Sequence, residues 1–126
     1  MLEKILTLRH RHEKWEVKMI HKTTDTSSNE IWQNSNNYIP FERRAYRFTD
    51  DMLPLFYKWL GINKDSYILD AGCGTGVFGR YLAAGLDHGH VTGFDISQPF
   101  IEYGKKKLVE IGLADKVTLQ VDDGRV

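Results

Sequence analysis

The sequence holds a single cysteine, Cys73, among its 126 residues. One thiol forms neither an internal disulfide nor a cysteine-rich zinc site, and it suits a reducing compartment. No run of about 18 apolar residues occurs, so no membrane-spanning helix is expected. The first residues lack an apolar stretch of the signal-peptide kind, because charges and histidines interrupt them every few positions. Charge of one sign is missing too: 17 Lys and Arg balance 17 Asp and Glu. A surface without a dominant sign gives no reason to expect nucleic acid or an anionic membrane as the main partner. Serine, histidine and aspartate assemble no hydrolytic triad, and no nucleophile elbow is present. His10, His12 and His21 have no carboxylates at ligand spacing, so no metal site is expected. Repeats and low-complexity tracts are also absent. The expectation is a cytoplasmic globular protein with a small-molecule substrate.

Three regions differ in composition. Residues 1–22 place Leu2, Ile5, Leu6, Trp15 and Met19 at roughly helical spacing, which predicts an amphipathic helix. Residues 23–40 are rich in Thr, Ser and Asn and read as an exposed connection. The expected division is therefore an N-terminal helical and linker segment, 1–40, before a compact unit, 41–126. In that unit Thr49 or Asp50 caps a helix that Gly61 ends. Tyr67-Ile68-Leu69 reads as a buried strand running into Asp70-Ala71-Gly72-Cys73-Gly74-Thr75-Gly76. A helix over Val77–Leu86, a strand over His90–Phe94, a helix from Ser97 with Pro99 in its first turn to Gly112, and a strand over Val117–Val121 follow. Strand, helix, strand, helix, strand in this order is one half of a doubly wound α/β sheet, with parallel strands in the order 3-2-1.

A strand that enters glycines and then a helix brings backbone N–H groups close to a ligand. Gly74-Thr75-Gly76-Val77-Phe78-Gly79 spells the dinucleotide fingerprint, a weak signal by itself. The register argues against it. Asp70 stands between the strand and the first glycine, Gly72, and its charge would repel a pyrophosphate at short range. The same carboxylate favours a ligand carrying an ammonium and a sulfonium.

The stretch Asp70-Ala71-Gly72-Cys73-Gly74-Thr75-Gly76 resembles the first motif of class I, Rossmann-like methyltransferases that use S-adenosyl-L-methionine (SAM). Phe94-Asp95-Ile96-Ser97 is similar to the end of that family's second strand, and Val121-Asp122-Asp123-Gly124 to its third motif. The resemblance spans Tyr67 to Gly124. It implies a cofactor site made by Asp70, Gly72, Cys73, Gly74, Gly76, Asp95, Ile96 and Asp123. In that site Asp95 takes the ribose hydroxyls through charge-assisted hydrogen bonds. Ile96 packs on the adenine face, and Asp123 accepts from the adenine amino group. Asp122 stands where the family pattern has glycine, which leaves open which of the two acids faces the base. Cys73 reads independently as a small buried residue, and Lys105-Lys106-Lys107 as the solvent face of a helix.

The resemblance further implies strands beyond the third, and among them one on the far side of the first strand. The expectation is thus a truncated methyltransferase, or one that a partner completes, with an unpaired first-strand edge through which the chain associates with itself. The residues also allow a non-catalytic cofactor-binding module, or a half-site of an assembly, and more remotely a fragment of an NAD-binding dehydrogenase. The segment Tyr38–Phe48, with Arg43, Arg44, Tyr46 and Arg47, either folds over the methionine end of the cofactor or forms a surface helix.

Overall fold

The computed structural model describes residues 4–11, 14–19 and 42–125. At the centre lie three parallel strands. β3 (Tyr67–Ala71) leads through α2 (Val77–Ala83) to β4 (His90–Asp95), which leads through α3 (Gln98–Ile111) to β5 (Val117–Val121). Ile68 pairs with Val91, and Val91 with Val117. These apolar positions, with Leu82, Ile101 and Leu119, form the core between sheet and helices. Covering a parallel sheet with its own crossover helices leaves its strands buried, and Ile68, Val91 and Val117 are each 2% exposed or less.

The helix ends follow their sequence signals. The Ser97 hydroxyl accepts from the Phe100 amide at the start of α3, Pro99 sits in the first turn, and Gly112 (φ 75°) closes the helix. Two short 3-10 turns, Arg43–Arg47 and Asp50–Met52, precede α1 (Leu53–Leu60). The helix expected from Thr49 onward therefore opens as a tight turn, and it stops at Gly61 (φ 68°) as read. The α2 helix is three residues shorter than expected, its last part tightening into turns at Gly85 and Leu86. α1 is seated on α2 by an aromatic cluster in which Phe56 meets the rings of Phe78 and Tyr81 edge-on, with Phe48 beside them.

The N-terminal segment departs from the sequence reading. Residues expected in a helix form the antiparallel hairpin β1 (Lys4–Arg11) and β2 (Lys14–Met19). β1 also pairs antiparallel with β3, from Leu8 opposite Tyr67 to Lys4 opposite Ala71, giving the order β2-β1-β3-β4-β5. The helical reading joined apolar residues across the whole segment. Trp15-Glu16-Val17-Lys18-Met19 taken alone alternates apolar and other residues, a period of two. The edge of β3 offered unpaired N–H and C=O groups, and burying them against a strand satisfies them. The unpaired first-strand edge expected from the sequence is therefore covered. Among the described residues the outer strands are β2 and β5. His12 and His21, and the 23–40 connection, lie outside the described residues.

α3 lies unusually close to the turn after β3. A Cβ added to Gly104 would meet the Thr75 carbonyl oxygen at 2.4 Å and Leu119 Cδ1 at 2.6 Å. Gly104→Ala gains about 1 kcal/mol of helix propensity and pays for a clash with backbone that no rotamer relieves, at the upper end of about 1–3 kcal/mol. The expected outcome is a lower urea midpoint than the parent chain.

Tyr57 of α1 donates its hydroxyl to the Leu82 carbonyl. Burial, and secondarily the negative charge of Asp87, push its phenol up from 10.0 to about 12. The fold thus favours the neutral phenol. That contribution is fully present below pH 10 and is lost as pH rises through about 12. A urea midpoint followed from pH 9 upward should fall across that window, and Tyr57→Phe should flatten the part of the fall that belongs to this phenol.

Candidate functional site

The turn between β3 and α2 places three glycines in left-handed backbone, Gly72 at φ 74°, Gly74 at 59° and Gly76 at 80°. A side chain costs roughly 1–2 kcal/mol at each such position, so the alternation of glycine with Cys73 and Thr75 is set by the backbone path. The amides of this turn are committed within the protein. Gly72 and Cys73 both donate to the Phe94 carbonyl (2.9 and 3.0 Å), and Gly76 donates to the Cys73 carbonyl (2.9 Å). Gly74 donates to Asp95 Oδ2 at 2.9 Å. A pyrophosphate site needs such amides turned toward the ligand. With four of them engaged, the turn serves as a shaped wall and not as an anion nest, which weakens the dinucleotide reading independently of Asp70.

Asp95 sits at the end of β4, half-buried. Its Oδ1 accepts from the Ser97 amide and its Oδ2 from the Gly74 amide, both at 2.9 Å. The carboxylate is oriented by two backbone donors, and each oxygen keeps a lone pair for further donors. The Asp122 amide donates to the Asp95 carbonyl at 3.0 Å, which brings the end of β5 alongside. Ile96 is 38% exposed, a large apolar side chain left accessible beside this carboxylate.

The other expected residues fall as follows. Asp70 lies inside β3, 2% exposed, with Oδ2 3.6 Å from where a Cβ on Gly79 would stand. Its carboxyl group therefore lies inside the protein, against the first turn of α2 at Gly79. Cys73 is 2% exposed with its thiol near the Gly74 carbonyl, which fits its reading as a packed small residue. Asp122 and Asp123 are exposed. Asp122 Oδ1 accepts from the Gly124 amide at 2.9 Å. Asp123 accepts from the Arg125 side chain and amide, and these hydrogen bonds hold its carboxyl below the usual carboxylate range. Arg43 and Arg47 are exposed, and Tyr46 is 87% exposed, so the 3-10 turn that carries them presents a surface.

Sequence reasoning missed Glu42 and Arg80. Arg80 Nη2 donates to both oxygens of Glu42 at 2.8 and 2.9 Å, and the Thr75 hydroxyl donates to Glu42 Oε1. Arg80 was detectable as a charge on the otherwise apolar run Val77–Leu82, because a buried guanidinium requires a partner. Glu42 carried no local signal, since its partners lie 33 and 38 residues away.

These residues fit SAM, the cofactor the resemblance implies. A Cβ added to Gly72 would meet nothing within 4 Å among the described residues, which leaves room there for close approach by a ligand. Asp95 offers an oriented acceptor for a diol and Ile96 an apolar face for a base. Among the described residues no group of histidines, cysteines or carboxylates is placed to hold a metal, and no helix is long and apolar enough to cross a membrane.

Comparison with known proteins bears directly on this site. Residues 68–125 match the model of a methyltransferase domain family. The chain is 38% identical over 66 residues to a probable fatty acid methyltransferase of Pseudomonas putida, an alignment covering 52% of this chain and 16% of that protein. It is 48% identical over 59 residues to protein arginine N-methyltransferase 1 of Saccharomyces cerevisiae, covering 44% of this chain and 16% of the relative. The chain thus spans only a small part of the length of these curated relatives. A SAM-dependent methyltransferase from Aquifex aeolicus shares the fold, with a TM-score of 0.51 and 21% identity over 79% of this chain and 48% of that one. The matched segment contains β3, the glycine turn, Asp95 and the end of β5. Over this segment the chain matches the methyltransferase domain family, and it shares the Rossmann-like fold of SAM-dependent methyltransferases.

Proposed function

We propose that this chain binds SAM across the C-terminal ends of β3, β4 and β5, and that it serves methyl transfer to a small-molecule acceptor in the cytoplasm. The observation that carries this reading is the Asp95 carboxylate, fixed by the Gly74 and Ser97 amides near the exposed Gly72. In this reading Asp95 holds the two ribose hydroxyls and Ile96 packs on adenine. The Gly72–Gly76 turn, with Cys73, lines the path of the ligand, and the Asp70 side chain lies beneath it. Asp123 meets the adenine amino group by exchanging one of its Arg125 hydrogen bonds.

SAM supplies a methyl group on a good leaving group, so the protein contributes mainly proximity, orientation and electrostatics. That need matches a site without a nucleophile of its own. The balanced charge of the sequence supports a small molecule over nucleic acid as acceptor. Since the relatives are named for acceptors as different as a fatty acid and arginine, the acceptor class is carried by charge balance and not by likeness.

Calorimetric titration with S-adenosylhomocysteine (SAH) and with NAD tests the cofactor. SAH should bind and NAD should not. Asp95→Ala should weaken SAH by about 10–100-fold, the worth of hydrogen bonds to a charged group, with thermal melts confirming a folded variant. Binding of NAD in place of SAH would overturn the reading.

A further inference from the structure

Thr75 occupies the middle of the glycine turn, between Gly74 and Gly76, and is 1% exposed. Two neighbours fix it from different directions. Its carbonyl oxygen faces α3 at Gly104, where an added Cβ would stand 2.4 Å from it. Its hydroxyl donates to Glu42, which enters from the segment ahead of the first 3-10 turn. Glu42 in turn is held by the Arg80 guanidinium at 2.8 and 2.9 Å. The Arg80 side chain is 8% exposed and that of Glu42 18%, and Arg80 Nη1 is buried without a hydrogen-bond partner among the described residues.

As a stabilising device this arrangement is a poor one. Desolvating two charges roughly cancels their attraction, and a buried pair with an unsatisfied donor does worse than apolar packing of equal volume. What it does well is geometry. A carboxylate clamped by a guanidinium offers a fixed, directional acceptor, and among the described residues the further group placed on it is the Thr75 hydroxyl of the glycine turn.

We propose that Glu42 is a positioning residue for cofactor binding: held by Arg80, it fixes Thr75 and thereby sets the turn Gly72–Gly76 in its binding conformation. The proposal rests on the SAM reading above. It extends the site to a residue outside the 68–125 segment that matches the family model, so the chain ahead of the core takes part in binding. A turn organised before the ligand arrives does not have to be ordered by it, which is where the gain in affinity comes from.

The test compares the full chain with Thr75→Val, Thr75→Ser and Glu42→Gln, using SAH titration alongside urea unfolding. Thr75→Val removes the hydroxyl at nearly constant volume and leaves the Glu42–Arg80 pair intact. It should weaken SAH about tenfold, the worth of one hydrogen bond to a charged acceptor. Its urea midpoint should fall modestly, because the same hydrogen bond is lost from the free chain, so binding is compared without urea, where both chains are folded. Thr75→Ser keeps the hydroxyl and should restore most of the affinity, a rescue that loss of packing alone does not give. Glu42→Gln should also weaken binding, and combining it with Thr75→Val should cost less than the sum of the two. If the parent chain binds SAH and Thr75→Val binds it equally well, the positioning role is wrong and the cofactor reading stands. If the parent chain binds no SAH, the cofactor reading fails and the role falls with it.

Discussion

Everything at the functional end of this molecule depends on the backbone of one turn. Gly72, Gly74 and Gly76 take left-handed dihedrals in alternation, and that path directs four amides back into the protein, two onto Phe94, one onto Asp95 and one onto Cys73. The hydrogen bond from Gly74 to Asp95 ties the ends of β3 and β4 together and aims the Asp95 carboxylate. The amide of Asp122, donating to the Asp95 carbonyl, brings in the end of β5. A site assembled from three strand ends is thereby held by hydrogen bonds donated by main-chain amides. Ligands of open α/β sheets sit at the carboxyl ends of the strands for this reason: the strands are rigid and the turns after them are free to be shaped.

The same turn explains why G-x-G-x-x-G is a weak signal. The letters describe a chain that bends tightly and then starts a helix. They do not say whether its amides face the ligand or the protein. Here they face the protein, and the chemistry offered outward is a carboxylate and an apolar side chain, a surface suited to a neutral diol and a base.

Local signals made most of the central unit legible. The strands over β3, β4 and β5 are short apolar runs bounded by turn residues, and α3 is bracketed by Ser97 and Gly112, which act within four residues of themselves. The glycine turn and Asp95 were readable for the same reason, because each is a property of the chain at that point. The hairpin was not. Its residues carry both a coarse helical spacing and a finer alternation, and the choice between them was made by the edge of β3, some sixty residues later in the chain. The expectation of an unpaired strand edge failed with it, since the segment taken for a separate helix is what covers that edge.

Glu42 and Gly104 mark the same boundary. Nothing near Glu42 in the sequence distinguishes it from any acid beside arginines; its role exists because folding brings Arg80 and Thr75 to it. Gly104 lies in the middle of a helix, where glycine is locally unfavourable, and only the contact with Thr75 and Leu119 gives it a reason. The sequence by itself determined the βαβαβ unit, the left-handed turn and the acids at the strand ends, because those follow from propensity, capping and steric limits a few residues wide. The tertiary structure alone decided the partner of β3, the clamp on Thr75 and the distance of α3 from the turn, because each is a contact between groups far apart in the chain, and no local preference encodes which distant surface a residue will meet.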